Sequence, residues 1–354
     1  MGHAIAALRY AAATMGWHLQ LLDECSDQQI ASMLGLNRSE DFSSVETETA
    51  DVLLLISTSK NTGKPDLNIL LESVNKAEWK GKANRLSEDN RILWDVIKQI
   101  SVTCEKPQTE SQYWSAPDYP PITRCATDVD ASSIIRHRRS AQAFDKQSVL
   151  PLTKFYRMLD VLLPRENTTP FDALKWQARL HLVLFVHRVE GLKPGLYVFP
   201  RSDSAEILLR ENLRETFDWT RPAICPETLP LYHLISANSQ NASATTSCHQ
   251  VIASGGAFNI AMLGEYDQTV KDKPWQYKQL FWEAGMIGQS LYLEAEAVEM
   301  RATGIGCFFD DAVHETLGID NTLLQVVYHF TVGKPVLDTR LISLPPYGHL
   351  NMDK

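Results

Sequence analysis

The hydrophobic pattern at the start of the chain predicts two helices and a strand. The apolar residues of the first helix, over residues 3–17, recur at helical spacing and are Ile5, Leu8, Ala12 and Met15. A second helix is predicted over residues 27–34, with Ser26 as its N-cap and Gly35 at its end. The continuous apolar run at residues 50–57 then predicts a strand that is buried on both faces.

The middle of the chain has a weaker pattern. Residues 58–85 are polar and contain a turn at residues 61–65. A helix is predicted over residues 87–100, with an apolar face of Leu93, Trp94, Ile97 and Ile100. Residues 105–122 are rich in proline, which indicates a linker.

The second half of the chain alternates helices with strand-like runs. Three helices are predicted. One ends at Arg138, one begins at Pro151 as its first helical residue, and one covers residues 275–300. The predicted strands are residues 180–189, 196–199, 258–262 and 324–330, and a glycine turn at 191–195 joins the first two as a hairpin. After the long helix we predict a loop over residues 303–308 and a short helix that ends at Leu317–Gly318.

The two ends of the chain are similar to each other. Residues 2–36 align without a gap with residues 285–319, at a constant offset of 283 residues. The identical positions are Gly2, Leu8, Ala12, Asp27, Leu34 and Gly35, which match Gly285, Leu291, Ala295, Asp310, Leu317 and Gly318. The order of predicted elements also matches, so we infer that the N-terminal part repeats the second half of the C-terminal part. The alternative is that two unrelated units share this order.

Composition restricts the classes of function. The 354 residues are 44% hydrophobic and 22% charged, which is typical of a soluble globular protein of about two domains. The net charge of −9 argues against nucleic acid as the main partner, because binding a phosphate backbone needs a positive face. No apolar run approaches the roughly 20 residues that cross a bilayer, and the N-terminus lacks the pattern of a signal peptide. No membrane contact and a cytoplasmic location are therefore expected.

The cysteines and histidines are dispersed along the chain. The six cysteines are Cys25, Cys104, Cys125, Cys225, Cys248 and Cys307. They form no C-x-x-C pair, and the ten histidines form no H-E-x-x-H motif. This pattern argues against a metal site and against a disulfide framework.

The strongest chemical signal is the run Arg138–Arg139–Ser140 at the end of an apolar, helix-like stretch. Two adjacent guanidinium groups can bind a phosphate bidentately, and a neighbouring hydroxyl adds another hydrogen bond. The alternative is a solvated basic helix end, which is the more common meaning of such a run.

Five segments carry a resemblance to a known family. They are residues 138–145, 191–197, 283–293, 304–308 and 331–340, with the core motifs RRSAQAFD, GLKPGLY, EAGMIGQSLYL, GIGCF and TVGKP. In this order they resemble the nitroreductase superfamily and, within it, the SagB-type (thiazoline/oxazoline) dehydrogenase branch. The resemblance covers roughly residues 125–345, and residues 1–58 resemble only the latter half of such a domain.

The resemblance implies an α+β, three-layer fold, in which a central, mainly antiparallel sheet is flanked by helices, with a partial second copy at the N-terminus. It also implies an FMN-dependent oxidoreductase that transfers hydride between an organic or nicotinamide substrate and FMN, with NAD(P)H as the candidate electron donor. FMN lies at a dimer interface in this family, so a homodimer and a small-molecule or peptide substrate are expected. The redox chemistry belongs to the cofactor, and the protein tunes it.

The resemblance further assigns cofactor-binding residues. The candidates are Arg138, Arg139 and Ser140 for the phosphate and ribityl chain, Gln142 at a position that is basic in many members, Arg340 as a second phosphate arginine, and the backbone of Gly306 and Cys307 beside the flavin ring. For Cys307, a small residue packed at the ring is favoured over a reactive thiol, because no second cysteine or histidine is near in sequence. Gly306 is open to a second interpretation, as an ordinary turn residue.

The chain departs from the branch at two places. Lys271 falls in register with a catalytic lysine, but Asp272 replaces the tyrosine that accompanies it. Lys271 is therefore a candidate general base, with an exposed surface charge as the alternative. The Ser/Gly-rich loop of the branch is replaced by residues 167–172.

These observations predict three segments and two possible functions. The segments are a partial repeat over residues 1–58, a helical spacer and proline-rich linker over 59–122, and an FMN domain over 123–354. Because the N-terminal copy lacks the front half that would bring its own phosphate site, at most one FMN per chain is expected. The first function is the flavoenzyme described above. The second is a degenerate, non-catalytic protein that acts as a binding or scaffold subunit.

Overall fold

The computed structural model describes residues 1–42, 46–60, 62–84, 94–123, 125 and 127–351. Its N-terminal part consists of helix α1 (Gly2–Thr14), strand β1 (His18–Leu21), helix α2 (Asp27–Leu34) and strand β2 (Leu54–Ser57). The two strands pair antiparallel as a two-stranded sheet. The prediction of two helices in this part is confirmed.

The ends of α2 are set by local side-chain chemistry. The Ser26 hydroxyl accepts the Gln29 backbone N–H at 3.0 Å, and the Gln29 side chain accepts the Ser26 N–H at 2.9 Å, which is a capping box. Gly35 ends the helix with φ of 70°, in the left-handed region that glycine adopts without strain.

The strand predicted at residues 50–57 is wrong in length and burial. Only 54–57 form β2, which is half-buried because the sheet has just two strands.

In the middle of the chain, the described residues form two short α-helices. Helix α3 (Leu67–Asn75) was not predicted, and the Asp66 carboxylate caps it by accepting the N–H groups of its first residues. Helix α4 (Asp95–Thr103) overlaps the helix predicted over 87–100, but residues 87–93, with Leu93, lie outside the described residues. The rest of its predicted apolar face is exposed: Trp94, Ile97 and Ile100. The residues between 105 and 122 contain no helix or strand.

The described residues of the C-terminal part form eight α-helices and six strands. Its α-helices are α5 (Ala131–His137), α6 (Leu152–Asp160), α7 (Asp203–Asn212), α8 (Gln240–Thr246), α9 (Val251–Gly255), α10 (Tyr266–Val270), α11 (Tyr277–Glu296) and α12 (Asp310–Leu317). Its strands are β3 (Leu180–Val186), β4 (Gly195–Phe199), β5 (Tyr232–Ser236), β6 (Phe258–Glu265), β7 (Arg301–Ile305) and β8 (Leu324–Gly333).

The six strands form one antiparallel sheet in the order β5-β4-β3-β6-β8-β7. Its two faces carry separate hydrophobic cores, because successive side chains of a strand point to opposite faces. In β3, Leu182 and Leu184 pack in one core and Val183 and Phe185 in the other. Helices therefore cover both faces, which is why β3 is buried along its whole length. The predicted three-layer α+β fold is confirmed.

Two local predictions for this part are corrected. The glycine-rich segment predicted as a loop over 303–308 begins as strand β7, which pairs with β8 from Arg301 to Ile305. Pairing with a buried neighbour supplies the hydrogen bonds that make a strand of this sequence despite its glycines. The strand predicted over 180–189 ends at Val186.

The internal repeat is visible in the structure. Helix α2, moved by the offset of 283, coincides with α12, and the following glycines, Gly35 and Gly318, both have a left-handed φ, of 70° and 78°. Strand β1 coincides with the start of β7, and each pairs antiparallel with the next strand along the chain. The N-terminal part is therefore a partial second copy of the fold.

The two copies contact each other through equivalent helices. Helix α1 packs along α11, and the equivalent glycines Gly2 and Gly285 lie at the contact. A Cβ atom on Gly285 would lie 2.5 Å from the backbone nitrogen of His3 and 2.8 Å from Gly2 Cα. Glycine is required here because the two backbones approach this closely. Contact between equivalent residues is expected for two helices that are related by a local twofold axis.

Candidate active site

Residues 138–142 run beside the edge strand β7. Ser140 forms a parallel bridge with Ala302, and the Ala141 N–H donates to the Ala302 carbonyl at 3.1 Å. The Thr303 hydroxyl donates to the Ala141 carbonyl at 2.7 Å. The structure thus brings the predicted phosphate-binding run next to the strand that leads to Gly306.

Tyr292 of α11 is the centre of the polar contacts at this edge. Its buried hydroxyl is 2.8 Å from Ser140 Oγ and accepts the Gly304 N–H at 3.1 Å. The Arg138 guanidinium lies over its ring, 4.5 Å from the ring centre, where a cation is favourable. The sequence prediction included Ser140 and Arg138 but missed Tyr292, although this residue lies within the EAGMIGQSLYL motif.

The two adjacent arginines have different surroundings. Arg139 donates to the backbone carbonyls of Arg136, Arg138 and Leu344, at 3.0–3.3 Å. The Arg138 backbone N–H donates to the Ile134 carbonyl at 2.9 Å, but its guanidinium makes no hydrogen bond to the described residues, so the guanidinium N–H groups are available to an anion. Of the two, Arg138 is the better candidate for binding a phosphate.

The remaining predicted phosphate residues are less closely integrated. Arg340 is exposed and its guanidinium binds the Asp338 carboxylate at 2.7 Å, with no contact to Arg138 or Arg139 among the described residues. The segment that carries Arg340 still reaches this edge, because the Leu344 carbonyl accepts a hydrogen bond from Arg139. Gln142 is exposed beside β7.

Gly306 and Cys307 follow directly after β7. Both are exposed, and a Cβ atom on Gly306 would meet no other atom within 4 Å, so open space adjoins the backbone there. Cys307 forms a disulfide with Cys248, which lies 59 residues away in sequence. The expectation that no second cysteine neighbours Cys307 is therefore wrong, and a disulfide is present although the cysteine pattern argued against a disulfide framework. Sequence spacing gave no signal because the pairing depends on the tertiary fold.

Lys271 lies far from this edge within one chain. It is the exposed residue directly after α10, before the start of α11. Tyr277 and Tyr292 are the first and sixteenth residues of α11, so the helix separates them by about 22 Å. The described contacts do not bring the Lys271 side chain to Ser140 or Tyr292.

The N-terminal copy contributes His3 to the same region. His3 Nδ1 lies 3.3 Å from the Gln289 side-chain oxygen, and Nε2 lies 3.3 Å from the Tyr328 hydroxyl. Because an amide oxygen only accepts, Nδ1 carries the proton and Nε2 accepts from Tyr328. Burial lowers the pKa of His3, which keeps the ring neutral near pH 7. The prediction missed His3 because its place depends on how the two copies pack.

Tyr328 connects His3 to β7. A Cβ atom on Gly304 would fall 1.8 Å from the Tyr328 hydroxyl oxygen, so only glycine leaves room for this phenol. Burial raises the pKa of Tyr328 to about 12, and its hydroxyl therefore stays protonated at neutral pH. Tyr328, Tyr292 and His3 place one imidazole and two phenols around the Gly304 backbone.

The comparisons with known proteins agree with this architecture. Residues 225–334 match the model of the nitroreductase family. A protein of Anabaena variabilis assigned as a nitroreductase superposes with a TM-score of 0.60 and 19% identity, over 95% of the present chain and 64% of its own. The present chain has a nitroreductase-like fold. It spans just under two thirds of the length of that relative, and no curated protein matches it.

Other solved structures are less similar to the chain. The McbBCD microcin synthetase complex of Escherichia coli, with truncated pro-MccB17 bound, has a TM-score of 0.41 and 12% identity, over 72% of the present chain and 85% of its own. A nitroreductase of Exiguobacterium sibiricum in complex with FMN has a TM-score of 0.36 and 13% identity, over 63% and 96%. With TM-scores below 0.5, neither supports an inference about this chain.

The nitroreductase-like part is also anchored by a buried ion pair. The Glu283 carboxylate of α11 accepts the backbone N–H groups of Arg179 and Leu180 at 3.1 and 3.3 Å and pairs with the Arg201 guanidinium. Arg201 in turn donates to the Leu162 carbonyl at 2.8 Å. Glu283, the first residue of the predicted EAG motif, therefore fixes α11 against β3 and does not face the edge at β7.

Among the described residues, no helix has the length and apolar character that a membrane crossing requires.

Proposed function

We propose that the chain is an FMN-dependent oxidoreductase that binds its cofactor along the edge formed by residues 138–142 and β7. The observation that carries the proposal is the contact between the Arg138–Ser140 run and the strand that leads to Gly306. A phosphate needs a cation with free N–H groups, and Arg138 has them. A flavin ring needs open space beside accessible backbone amides, and Gly306 adjoins such space. The residues present therefore fit FMN.

The chain's own groups have separate roles in this proposal. Arg138, assisted by Ser140 and Arg139, holds the phosphate, and the backbone at Gly306 and Cys307 orients the ring. Bound FMN supplies the hydride chemistry. The Tyr328 hydroxyl, hydrogen-bonded to neutral His3, holds a proton close to the Gly304 backbone and is positioned to serve as a proton donor.

The finer assignments rest on the sequence resemblance. The EAGMIGQSLYL and GLKPGLY motifs support a SagB-type dehydrogenase, with NAD(P)H as the electron donor and a small molecule or peptide as the substrate. Lys271 remains a candidate general base, and its distance along α11 requires that it act from a second chain. A homodimer would supply that chain, and sedimentation of a flavin-loaded monomer would contradict this arrangement.

A second function keeps some support. Arg340 is engaged by Asp338 rather than by the other arginines, and Asp272 replaces the tyrosine expected beside Lys271. Both features fit a non-catalytic scaffold subunit with the same fold. That function predicts a protein that lacks flavin, or a bound flavin that no donor reduces.

One experiment distinguishes the two functions. The purified protein is loaded with FMN, and its absorbance spectrum is followed anaerobically after addition of NADH or NADPH. The flavoenzyme predicts that the oxidised flavin bands disappear with either donor, and the scaffold predicts no change. Arg138→Ala and Arg340→Ala test the phosphate assignment. Unchanged FMN content in both variants would refute it.

A further inference from the structure

The exposed disulfide beside Gly306 joins two segments that other contacts already hold together. Cys248 lies just after α8, Cys307 lies just after β7, and their Cα atoms are 5.8 Å apart. The Phe309 N–H donates to the Thr246 carbonyl at 2.8 Å, and the Gln250 side chain donates to the Cys307 carbonyl at 3.1 Å. Breaking the S–S bond therefore leaves the two sulfur atoms close, so the bond can form again.

The pair also differs from the other cysteines in its access to solvent. Cys307 is exposed and Cys248 is half-buried, so a thiol can reach the Cys307 sulfur. The four free cysteines are buried or half-buried, and burial raises the pKa of each thiol: Cys25, Cys104, Cys125 and Cys225. Because the thiolate is the reactive form, these four are poor competitors in exchange.

The turn that carries Cys248 has an unusual backbone conformation. Cys248 and His249 have φ angles of 54° and 57°, and two successive non-glycine residues in the left-handed region are strained. Because Cys307 is exposed, the disulfide is of the kind that thiols reduce readily.

Each cysteine is next to a residue that contacts the same buried histidine. The Ser247 hydroxyl lies 2.9 Å from His329 Nδ1, and the Phe308 ring stacks on the His329 ring at 4.9 Å. His329 belongs to β8, which pairs with β7. A change at the disulfide therefore reaches β8 and, through its pairing, β7, the strand that leads to Gly306.

We propose that Cys248 and Cys307 form a thiol–disulfide exchange site, with small-molecule thiols as its substrates. A thiolate attacks Cys307 Sγ, the S–S bond breaks, and Cys248 leaves as a thiolate that takes up a proton. A second thiolate attacks the resulting mixed disulfide and releases Cys307 as a thiolate, which is protonated in turn. The products are the protein dithiol and one small-molecule disulfide, so two electrons enter the protein.

The test uses the full chain under native conditions. It is incubated with reduced glutathione or dithiothreitol, alkylated, and analysed by intact mass and peptide mapping. We expect two additional alkylated thiols, at Cys248 and Cys307, which oxidised glutathione removes again. Alkylation of both cysteines without any reductant, or a bond that reacts only after denaturation, would overturn the proposal.

Two variants provide the controls. Cys125→Ser removes a half-buried cysteine outside the pair and should leave the two-thiol change intact. Cys307→Ser should abolish the change and leave Cys248 alkylated in every condition. If that variant does not fold, the reduction and alkylation of the wild-type protein decides the question alone. The experiment measures the number of alkylated thiols, which can be counted whether or not FMN is bound. The result is therefore independent of the proposed oxidoreductase function.

Discussion

Substituting Gly285 by alanine tests whether the N-terminal copy is docked on the central helix as the structure describes. Alanine is the better helix former and on propensity alone should stabilise α11 by about 1 kcal/mol. The added Cβ, however, would lie 2.5 Å from His3 N and 2.8 Å from Gly2 Cα, whereas ordinary contacts are about 3.5–4 Å. Helix α1 would have to move by about 1 Å, and overpacking of this kind costs about 1–3 kcal/mol.

Because the clash is with backbone, no side-chain rotation relieves it. We expect Gly285→Ala to lower the free energy of unfolding by about 0–2 kcal/mol after the propensity gain is included. Urea denaturation followed by circular dichroism measures this change. A variant that is more stable than the wild type by about 1 kcal/mol would refute the reasoning, because it would show that α1 does not approach α11 at Gly285.

Gly288 provides a matched control in the same helix. A Cβ there would lie 2.7 Å from His3 Cε1 and 3.0 Å from Phe330 Cε2, both of which are side-chain atoms. In a His3→Ala background, Gly288→Ala should therefore recover most of its loss, whereas Gly285→Ala should not. Equal recovery at both positions would contradict the placement of the His3 backbone against Gly285.

Three further predictions concern buried ionisable side chains. Arg9→Met should cost about 3 kcal/mol, because it leaves Asp172 without the partner that now donates two hydrogen bonds, at 3.0 and 2.7 Å. Adding Asp172→Asn should cost little more, which a double-mutant cycle in urea measures. Arg201→Met should cost about 3–5 kcal/mol in the same assay, because Glu283 would remain buried and unpaired. Burial lowers the pKa of His329 to about 3, so the unfolded chain binds the extra proton and stability falls as pH drops below 6.5. His329→Gln should flatten this fall by about 1.4 kcal/mol per pH unit between pH 6.5 and 4.5, as seen in unfolding free energies measured across that range.

The sequence predicted most elements where local chemistry sets their ends. Helix α2 begins at a capping box and ends at a left-handed glycine, and both signals are local. Strand β7 was mistaken for a loop because its glycines have low strand propensity, and only pairing with β8 makes it a strand. Strand β2 was wrongly predicted to be buried on both faces, because an apolar run does not reveal how many strands its sheet contains.

The candidate site was also predictable only in part, because some of its residues lie in short motifs and others meet only in the folded chain. Ser140 and Gly306 were found from short motifs, and the fold brings their segments together along β7. His3 entered the site through packing between the two copies, and the Cys248–Cys307 pair joins segments 59 residues apart. No rule based on spacing along the sequence predicts contacts between residues that lie this far apart in the chain. The internal repeat was the exception, because its offset already indicated which helices are equivalent.

The amount of FMN that one chain binds tests the proposed cofactor site most directly. Released flavin is quantified against protein after reconstitution, for the wild type and for Arg138→Ala. We predict one FMN per chain, since the N-terminal copy has no counterpart of the Arg138–Ser140 run. In Arg138→Ala we expect an affinity for FMN that is roughly 10- to 100-fold weaker, because a hydrogen bond to a charged group contributes about 1.5–3 kcal/mol. Two FMN molecules per chain, no FMN, or equal affinity in the variant would contradict this prediction.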